Sequence, residues 1–462
     1  MPAETVIAIF DIGKTNKKLF LINTDYKIIF ERSARITETI DEDGDACEDI
    51  KSLTAWVFDA LREVSALEQY DITAINFSTY GASFVCLDET GNTVTPLYNY
   101  LKEYPEVLKR KFYSAYGGEE EFSYNTASPV LGSLNSGMQL YRIKYEKPEL
   151  FARIKYALHL PQYFNYLFTA KMLSDITSVG CHTNLWDFQK NEYHNWLRQE
   201  GVIEKLAPLF PADKVTKTSL PGENYVVGSG LHDSSAALIP YLLNFHQPFV
   251  LISTGTWCIS LNPFNSTPLT RYELANDCLC YLSYHGSAVK ASRLFAGFEH
   301  EQQVNRIAHH FNQTSVKYQC MKFDPEIILK LQTGHKLTSN HKIGRTILKQ
   351  SIFAQRDMQS FASDEEAYHQ LILDIVTLQL ASTQLVIEGT EVTRIFVDGG
   401  FSKNAVYMNL LASFFPGHEV YAASVAQATA IGAALCIHSH WNKKALPNDI
   451  IELKYYTSKS IK

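Results

Sequence analysis

Ile7-Ala8-Ile9-Phe10-Asp11-Ile12-Gly13-Lys14-Thr15-Asn16-Lys17-Lys18-Leu19-Phe20-Leu21 is the stretch on which the reading of this chain turns. An apolar strand runs into Asp11, bends through Gly13 and small polar residues, and returns as a second apolar strand. The turn gathers a carboxylate, backbone N–H groups, the Thr15 hydroxyl and the Lys18 ammonium at one point. Those groups suit a magnesium-bound nucleotide phosphate. A carboxylate holds the hydrated cation, while N–H, hydroxyl and ammonium groups hold phosphate oxygens. An ordinary hairpin with a polar turn accounts for the same residues, so the rest of the chain must decide.

A second stretch has the same design: Phe249-Val250-Leu251-Ile252-Ser253-Thr254-Gly255-Thr256-Trp257-Cys258-Ile259-Ser260-Leu261. Two such hairpins point to two related halves, divided near Tyr241–Pro248, and so to domains over 1–243 and 244–462. Facing each other across a cleft, the two turns would hold one nucleotide's phosphates from both sides. Ahead of the second hairpin, Gly228-Ser229-Gly230-Leu231-His232-Asp233-Ser234-Ser235 approaches an apolar helix. Asp233 or Ser234 stands at its N-terminal end, where N–H groups and the dipole are unsatisfied. Capping alone also explains an Asp there. Further on, a strand enters Asp398-Gly399-Gly400-Phe401-Ser402-Lys403-Asn404, where glycines permit close backbone approach to a flat or anionic group. Ala428-Thr429-Ala430-Ile431-Gly432-Ala433-Ala434 is a small-residue helix that packs closely on a neighbour.

Other segments are read from periodicity and turn chemistry. Ile28–Glu31 is a third strand, Leu53–Leu67 a helix, and Ile72–Phe77 a buried strand running into Ser78-Thr79-Tyr80-Gly81-Ala82-Ser83. Phe84–Leu87 and Val94–Tyr98 are expected to form a hairpin around Gly91-Asn92. Leu134–Tyr145 and Leu158–Leu167 read as helices. Ser363-Asp364-Glu365-Glu366 is a capping box opening a helix that runs through Glu388. Residues 300–360 read as polar, helical and peripheral. The acidic run Asp41–Asp45 puts Gly44 out of register for a calcium loop and reads as solvated. His182 and His194, with no partner at helical spacing, read as structural.

The bulk properties narrow the function classes. The chain has 462 residues, a net charge of -7, 46% hydrophobic and 20% charged residues. That balance excludes a nucleic-acid binder relying on a broad basic face. Eight cysteines contain no CxxC pair, so reduced thiols in a cytoplasmic protein are expected. No run reaches about 18 uninterrupted apolar residues, so no membrane span is expected.

Taken together and in this order, the motifs resemble those of the FGGY carbohydrate kinases, within the actin-like ATPase superfamily, over nearly the whole chain. The resemblance implies an α/β fold of two actin-like (ribonuclease H-like) domains with an ATP and sugar cleft between them. Its partners are ATP, Mg²⁺ and a small-molecule sugar, and it allows a homodimer. It assigns Asp11, Gly13, Thr15, Asn16, Lys18, Ser253, Thr254, Gly255, Thr256, Gly399, Gly400 and Asn404 to ATP. Tyr80, Gly81, Ser83, Asp233 and Ser234 fall to the sugar, and Asp233 is the general base. Asp11 would hold the metal through water, with Asp233 a second candidate ligand. The implied substrate is a ketopentose or 6-deoxy-ketohexose of the xylulose, ribulose, rhamnulose or fuculose type. The rival classes are a non-sugar actin-like ATPase and an inactive sugar-sensing homologue. Tyr98-Asn99-Tyr100-Leu101-Lys102 and Leu134-Asn135-Ser136-Gly137 depart from the family pattern on the sugar side. Lys14 is bulkier than usual, with a charge that could reach a phosphate.

Overall fold

In the computed structural model, which describes residues 2–334 and 351–457, Glu4–Ile12 pairs antiparallel with Lys17–Asn23, and that strand with Ile28–Ala34. Both faces of the first strand are buried, as its unbroken apolar run requires. Val6, Ala8 and Phe10 share a core with Leu53, Val57, Ala60 and Val64 of the helix Ile50–Ser65. Asp49 caps that helix by accepting from the Lys51 and Ser52 N–H groups. The helix Ala428–Cys436 also packs on the first strand. The sheet continues through Tyr70–Thr79, parallel to the first strand, with Val226–Gly228 and Leu231–His232 parallel to it in turn, and ends at Val215–Lys217, antiparallel to Val226–Gly228.

Two compact units divide the chain, which crosses between them more than once. The first comprises Met1–Asn244, Cys280–Ala288 and Ala426–Ile450; the second comprises Phe245–Leu279, Val289–Val425 and Ile451–Lys462. The sheet of the second half runs in the order Cys278–Leu282, Ala288–Leu294, Cys258–Asn262, Phe249–Thr254, Arg394–Gly399, Glu419–Ser424, Glu452–Tyr456. Its main helix, Asp364–Ile387, is long and apolar enough to cross a membrane, yet Tyr368, Leu371, Ile372, Ile375 and Val376 are buried in this unit's core. Ser363 caps it by accepting from Glu366 N–H. Glu366 accepts from Ala362 rather than Ser363, so only half of the capping box forms.

Several local expectations change. Phe84–Leu87 takes Tyr156–His159 as its ladder partner, and the expected hairpin is confined to its turn, where Leu87 bridges Thr93 and Val94 N–H donates to Cys86 O at 2.9 Å. The Asp88 carboxylate closes its own turn on Thr90 and Asn92, and Pro96, lacking an N–H, cannot extend a ladder. Tyr156–His159 being a strand, the helix after it starts at Leu160, with Pro161 in its first turn. The acidic run is an exposed turn from Glu42 to Asp45, as expected, but Asp41 is buried and the run folds round a lysine. The buried Lys102 ammonium reaches Asp41 at 2.5 Å, Asp43 at 2.7 Å and Asp45 at 3.1 Å. The stretch 300–360 is not wholly peripheral, since Val304, Ile307 and Ala308 of the helix Ala296–His310 join the core; residues 335–350 lie outside the described residues.

Candidate active site

Register brings the predicted groups of the first unit together. Asp11 lies opposite Ser78 and Ile12 opposite Thr79, while Leu231 and His232 pair with the same Ser78 and Thr79. Three parallel strands therefore end level, and Asp11, Tyr80-Gly81 and Asp233 emerge together at their carboxyl ends. That edge is where open α/β sheets bind ligands.

Asp233 opens the helix Asp233–Asn244. Its Oδ1 accepts from Ser234 N–H at 2.6 Å and lies 3.2 Å from His232 Nε2. The helix N-terminus favours a carboxylate, but burial wins and pushes the Asp233 pKa up to about 6, against the Ser234 hydrogen bonds. Asp11 is likewise raised to about 6, first by burial. Thr429 Oγ1, donating to Asp11 Oδ2 at 2.7 Å, opposes the rise; the Asp233 charge adds to it and Lys18 opposes it. Two neighbouring carboxylates, with the charge of Asp233 raising the proton affinity of Asp11, form a hard-oxygen donor set, which a hydrated divalent cation such as Mg²⁺ fits.

Thr429 reaches Asp11 because Gly432 lets its helix approach closely. A Cβ on Gly432 would fall 1.8 Å from the Ala236 carbonyl oxygen, and Asn76 Nδ2 donates to Ala433 O at 2.8 Å. The helix carrying Asp233 is thereby locked to the one carrying Thr429. Behind His232, Asp175 holds the Thr177 hydroxyl, which accepts from His232 N–H at 3.0 Å.

The first turn is closed by Gly13 N–H donating to Asn16 O at 3.0 Å. Thr15 and Asn16 are exposed, and Asn16 Oδ1 accepts from Arg35 at 3.2 Å. Lys18 pairs with Glu31 at 3.0 Å. The Lys14 ammonium is held by Glu38 at 2.5 Å and Glu48 at 3.4 Å. Buried Glu48 also binds buried Lys17 at 2.5 Å and accepts from Tyr80 Oη at 3.3 Å. Glu48 thus ties the first turn to the loop that follows Thr79. Sequence reasoning missed it, because in Asp45-Ala46-Cys47-Glu48-Asp49 nothing separates it from its acidic neighbours. Tyr80 rests on Tyr100 at 5.8 Å. A Cβ on Gly81 would meet Cys181 Sγ and His232 Cδ2 at 2.9 Å, so a larger residue there would force those side chains to shift. Ser83 is buried, and Ser234 is half-buried beside Asp233.

In the second unit, Phe249–Thr254 lies parallel to Arg394–Gly399, with Thr254 opposite Gly399. Gly399 has φ +92°, and a Cβ on it would fall 2.0 Å from Thr254 O, so only glycine fits. The Thr254 hydroxyl donates to Asp398 O at 2.6 Å and accepts from Phe401 N–H at 3.0 Å. It joins the two motifs. Ser253 is half-buried, while Gly255, Thr256, Gly399 and Gly400 are exposed. Asn404 caps the helix Ala405–Phe414 by accepting from Tyr407 N–H at 3.0 Å, and donates to Tyr368 Oη at 2.7 Å.

Comparison with known proteins adds a family to this geometry. The FGGY family of carbohydrate kinases, N-terminal domain, matches residues 6–239. The carbohydrate kinase FGGY C-terminal domain matches residues 246–445. The chain is 23% identical over 285 residues to a rhamnulokinase of Mannheimia succiniciproducens, covering 57% of this chain and 55% of the relative. It is 22% identical over 284 residues to a rhamnulokinase of Halalkalibacterium halodurans, covering 56% of each. The chain thus aligns with about half the length of these curated relatives. A solved carbohydrate kinase from Novosphingobium aromaticivorans superposes with a TM-score of 0.80 at 22% identity, covering 100% of this chain and 95% of that one. A ligand-bound xylulose kinase from Lactobacillus acidophilus gives 0.77 at 14%, covering 98% and 94%. These likenesses establish the two-domain actin-like α/β fold.

Proposed function

The chain belongs to the FGGY family of carbohydrate kinases, and we propose that it transfers the terminal phosphoryl group of ATP to a sugar hydroxyl. The observation that carries this reading is the meeting of Asp11 and Asp233 at the carboxyl ends of parallel strands, each with its pKa raised to about 6. Asp233 accepts the proton of the attacking hydroxyl; a base titrating near 6 is ionised at neutral pH yet retains proton affinity. Asp11 holds hydrated Mg²⁺, which supplies charge neutralisation on the phosphates when bound. Thr15, Asn16, Lys18 and the Gly13 backbone contact phosphate from the first turn; Ser253, Gly255 and Thr256 do so from the second. Thr254 supports the second turn from behind. Gly399 and Gly400 lie against adenosine, and Asn404 starts the helix beside it. Phosphoryl transfer needs little else from a protein than this positioning and electrostatic stabilisation.

The substrate is a ketopentose or a 6-deoxy-ketohexose, lying against Tyr80, Gly81, Ser83, Asp233 and Ser234. Two curated relatives are named rhamnulokinases, which puts rhamnulose first in a panel with xylulose, ribulose and fuculose. ATP consumption with and without each sugar, and NMR of the product, test the assignment. Asp233→Asn should keep nucleotide binding and lower turnover by about two or more powers of ten, the scale of general-base catalysis. Near-normal turnover in that variant, or ATP hydrolysis indifferent to every sugar, refutes it.

A further inference from the structure

Cys181, His182 and His232 are all buried, and one ligand atom from each lies within 4.8 Å of the others. A tetrahedral zinc site has ligand–ligand edges of roughly 3.5 Å, so closing the group takes movements of about 1 Å. Cys181 Sγ and His232 Nε2 converge on one point: a Cβ built on Gly81 would stand 2.9 Å from the first and 3.1 Å from the second. The His182 and His232 rings lie 6.2 Å apart at 89°. His182 Nδ1 is 3.2 Å from Leu134 O. A carbonyl contact of this kind is the second interaction that metal-bound histidines commonly make. The backbone at His182 has φ 44°, a left-handed conformation uncommon outside glycine, and Asn135 Nδ2 donates to its carbonyl at 2.8 Å. Asp233 Oδ1, 3.2 Å from His232 Nε2, stands next to the group.

We propose that Cys181, His182 and His232 form a site for a soft divalent transition ion of the zinc class, and that filling it inhibits the enzyme. Thiolate and imidazole donors select such an ion, whereas Mg²⁺ takes oxygen ligands. Binding forms one metal–sulfur and two metal–nitrogen bonds and releases one proton, from the Cys181 thiol; both imidazoles bind neutral. The ion draws His232 Nε2 from Asp233 and sets positive charge beside the carboxylate, which weakens it as a base. This inhibitory half rests on Asp233 being the base, while the binding half does not.

The test titrates the full chain, in excess Mg²⁺ and without nucleotide, with Zn²⁺ against a chromophoric indicator and with Co²⁺ by absorption. One ion per chain is expected, with thiolate-to-cobalt charge transfer. Cys181→Ser should lose that absorption, and both Cys181→Ser and His182→Gln should weaken binding at least tenfold. Absence of stoichiometric binding, or binding unchanged in both variants, overturns the site. In turnover assays with ATP in excess, one equivalent of Zn²⁺ should lower the wild-type rate at least tenfold and leave Cys181→Ser unaffected. Unchanged wild-type turnover with the cobalt band present overturns the inhibition. If the zinc-free enzyme turns over none of the sugars, the kinase reading fails, and the titrations still decide the metal site.

Discussion

Replacing Asp11 by Asn should make the ligand-free protein more stable while abolishing its turnover. The Asp11 carboxyl titrates at about 6 against an ordinary 3.8, with burial the first cause and the Asp233 charge a further one. Two pKa units correspond to roughly 3 kcal/mol at 1.36 kcal/mol each; partial solvent access reduces this to about 1–2 kcal/mol. The folded state binds this proton more tightly than the unfolded chain. The stabilising contribution is therefore present below about pH 4 and lost as pH rises through about 6. An Asn at this position carries no charge at any of these values, and its carbonyl still accepts from Thr429. The variant should match wild type below about pH 4 and exceed it by about 1–2 kcal/mol near pH 8. Urea unfolding at several pH values, without nucleotide or divalent ions, measures the difference. A variant less stable than wild type near pH 8, or a difference that does not change with pH, refutes the reasoning. Such a gain would mark Asp11 as a residue kept for chemistry at a cost in stability.

Two other substitutions probe the scaffold of the first unit. Gly432→Ala drives a methyl to within 1.8 Å of the Ala236 carbonyl oxygen, and because that neighbour is backbone the two helices must part. A loss of about 1–3 kcal/mol is expected, read as a lower thermal midpoint, and an unchanged midpoint would show that the helices have slack. Glu48→Gln leaves the buried Lys17 ammonium without its carboxylate partner at 2.5 Å, which should cost about 3–5 kcal/mol. Adding Lys17→Met should recover part of that loss in denaturant unfolding; a double variant no better than Glu48→Gln would assign the loss elsewhere.

By itself the sequence determined the elements and their order. Apolar alternation sets both hairpins, Ser363 starts a helix where capping chemistry says it should, and Gly399 and Gly432 mark close approaches before any coordinates are known. These signals are local, since hydrophobic period, capping and left-handed turns are decided within a few residues. The hairpin after Phe84–Leu87 stops at its first rungs, and the strand's main partner, Tyr156–His159, was not legible because that pairing is a long-range choice. Ion pairing was still less legible. Lys14 carries a charge that could reach a phosphate and is paired instead with Glu38 and Glu48; the run Asp41–Asp45 reads as solvated and also holds Lys102. Any of many charges on the chain can satisfy another, and only the fold says which ones meet. The Asp11–Thr429 hydrogen bond joins residues 418 apart. No periodicity encodes that contact, since it exists only once Gly432 has seated one helix on another.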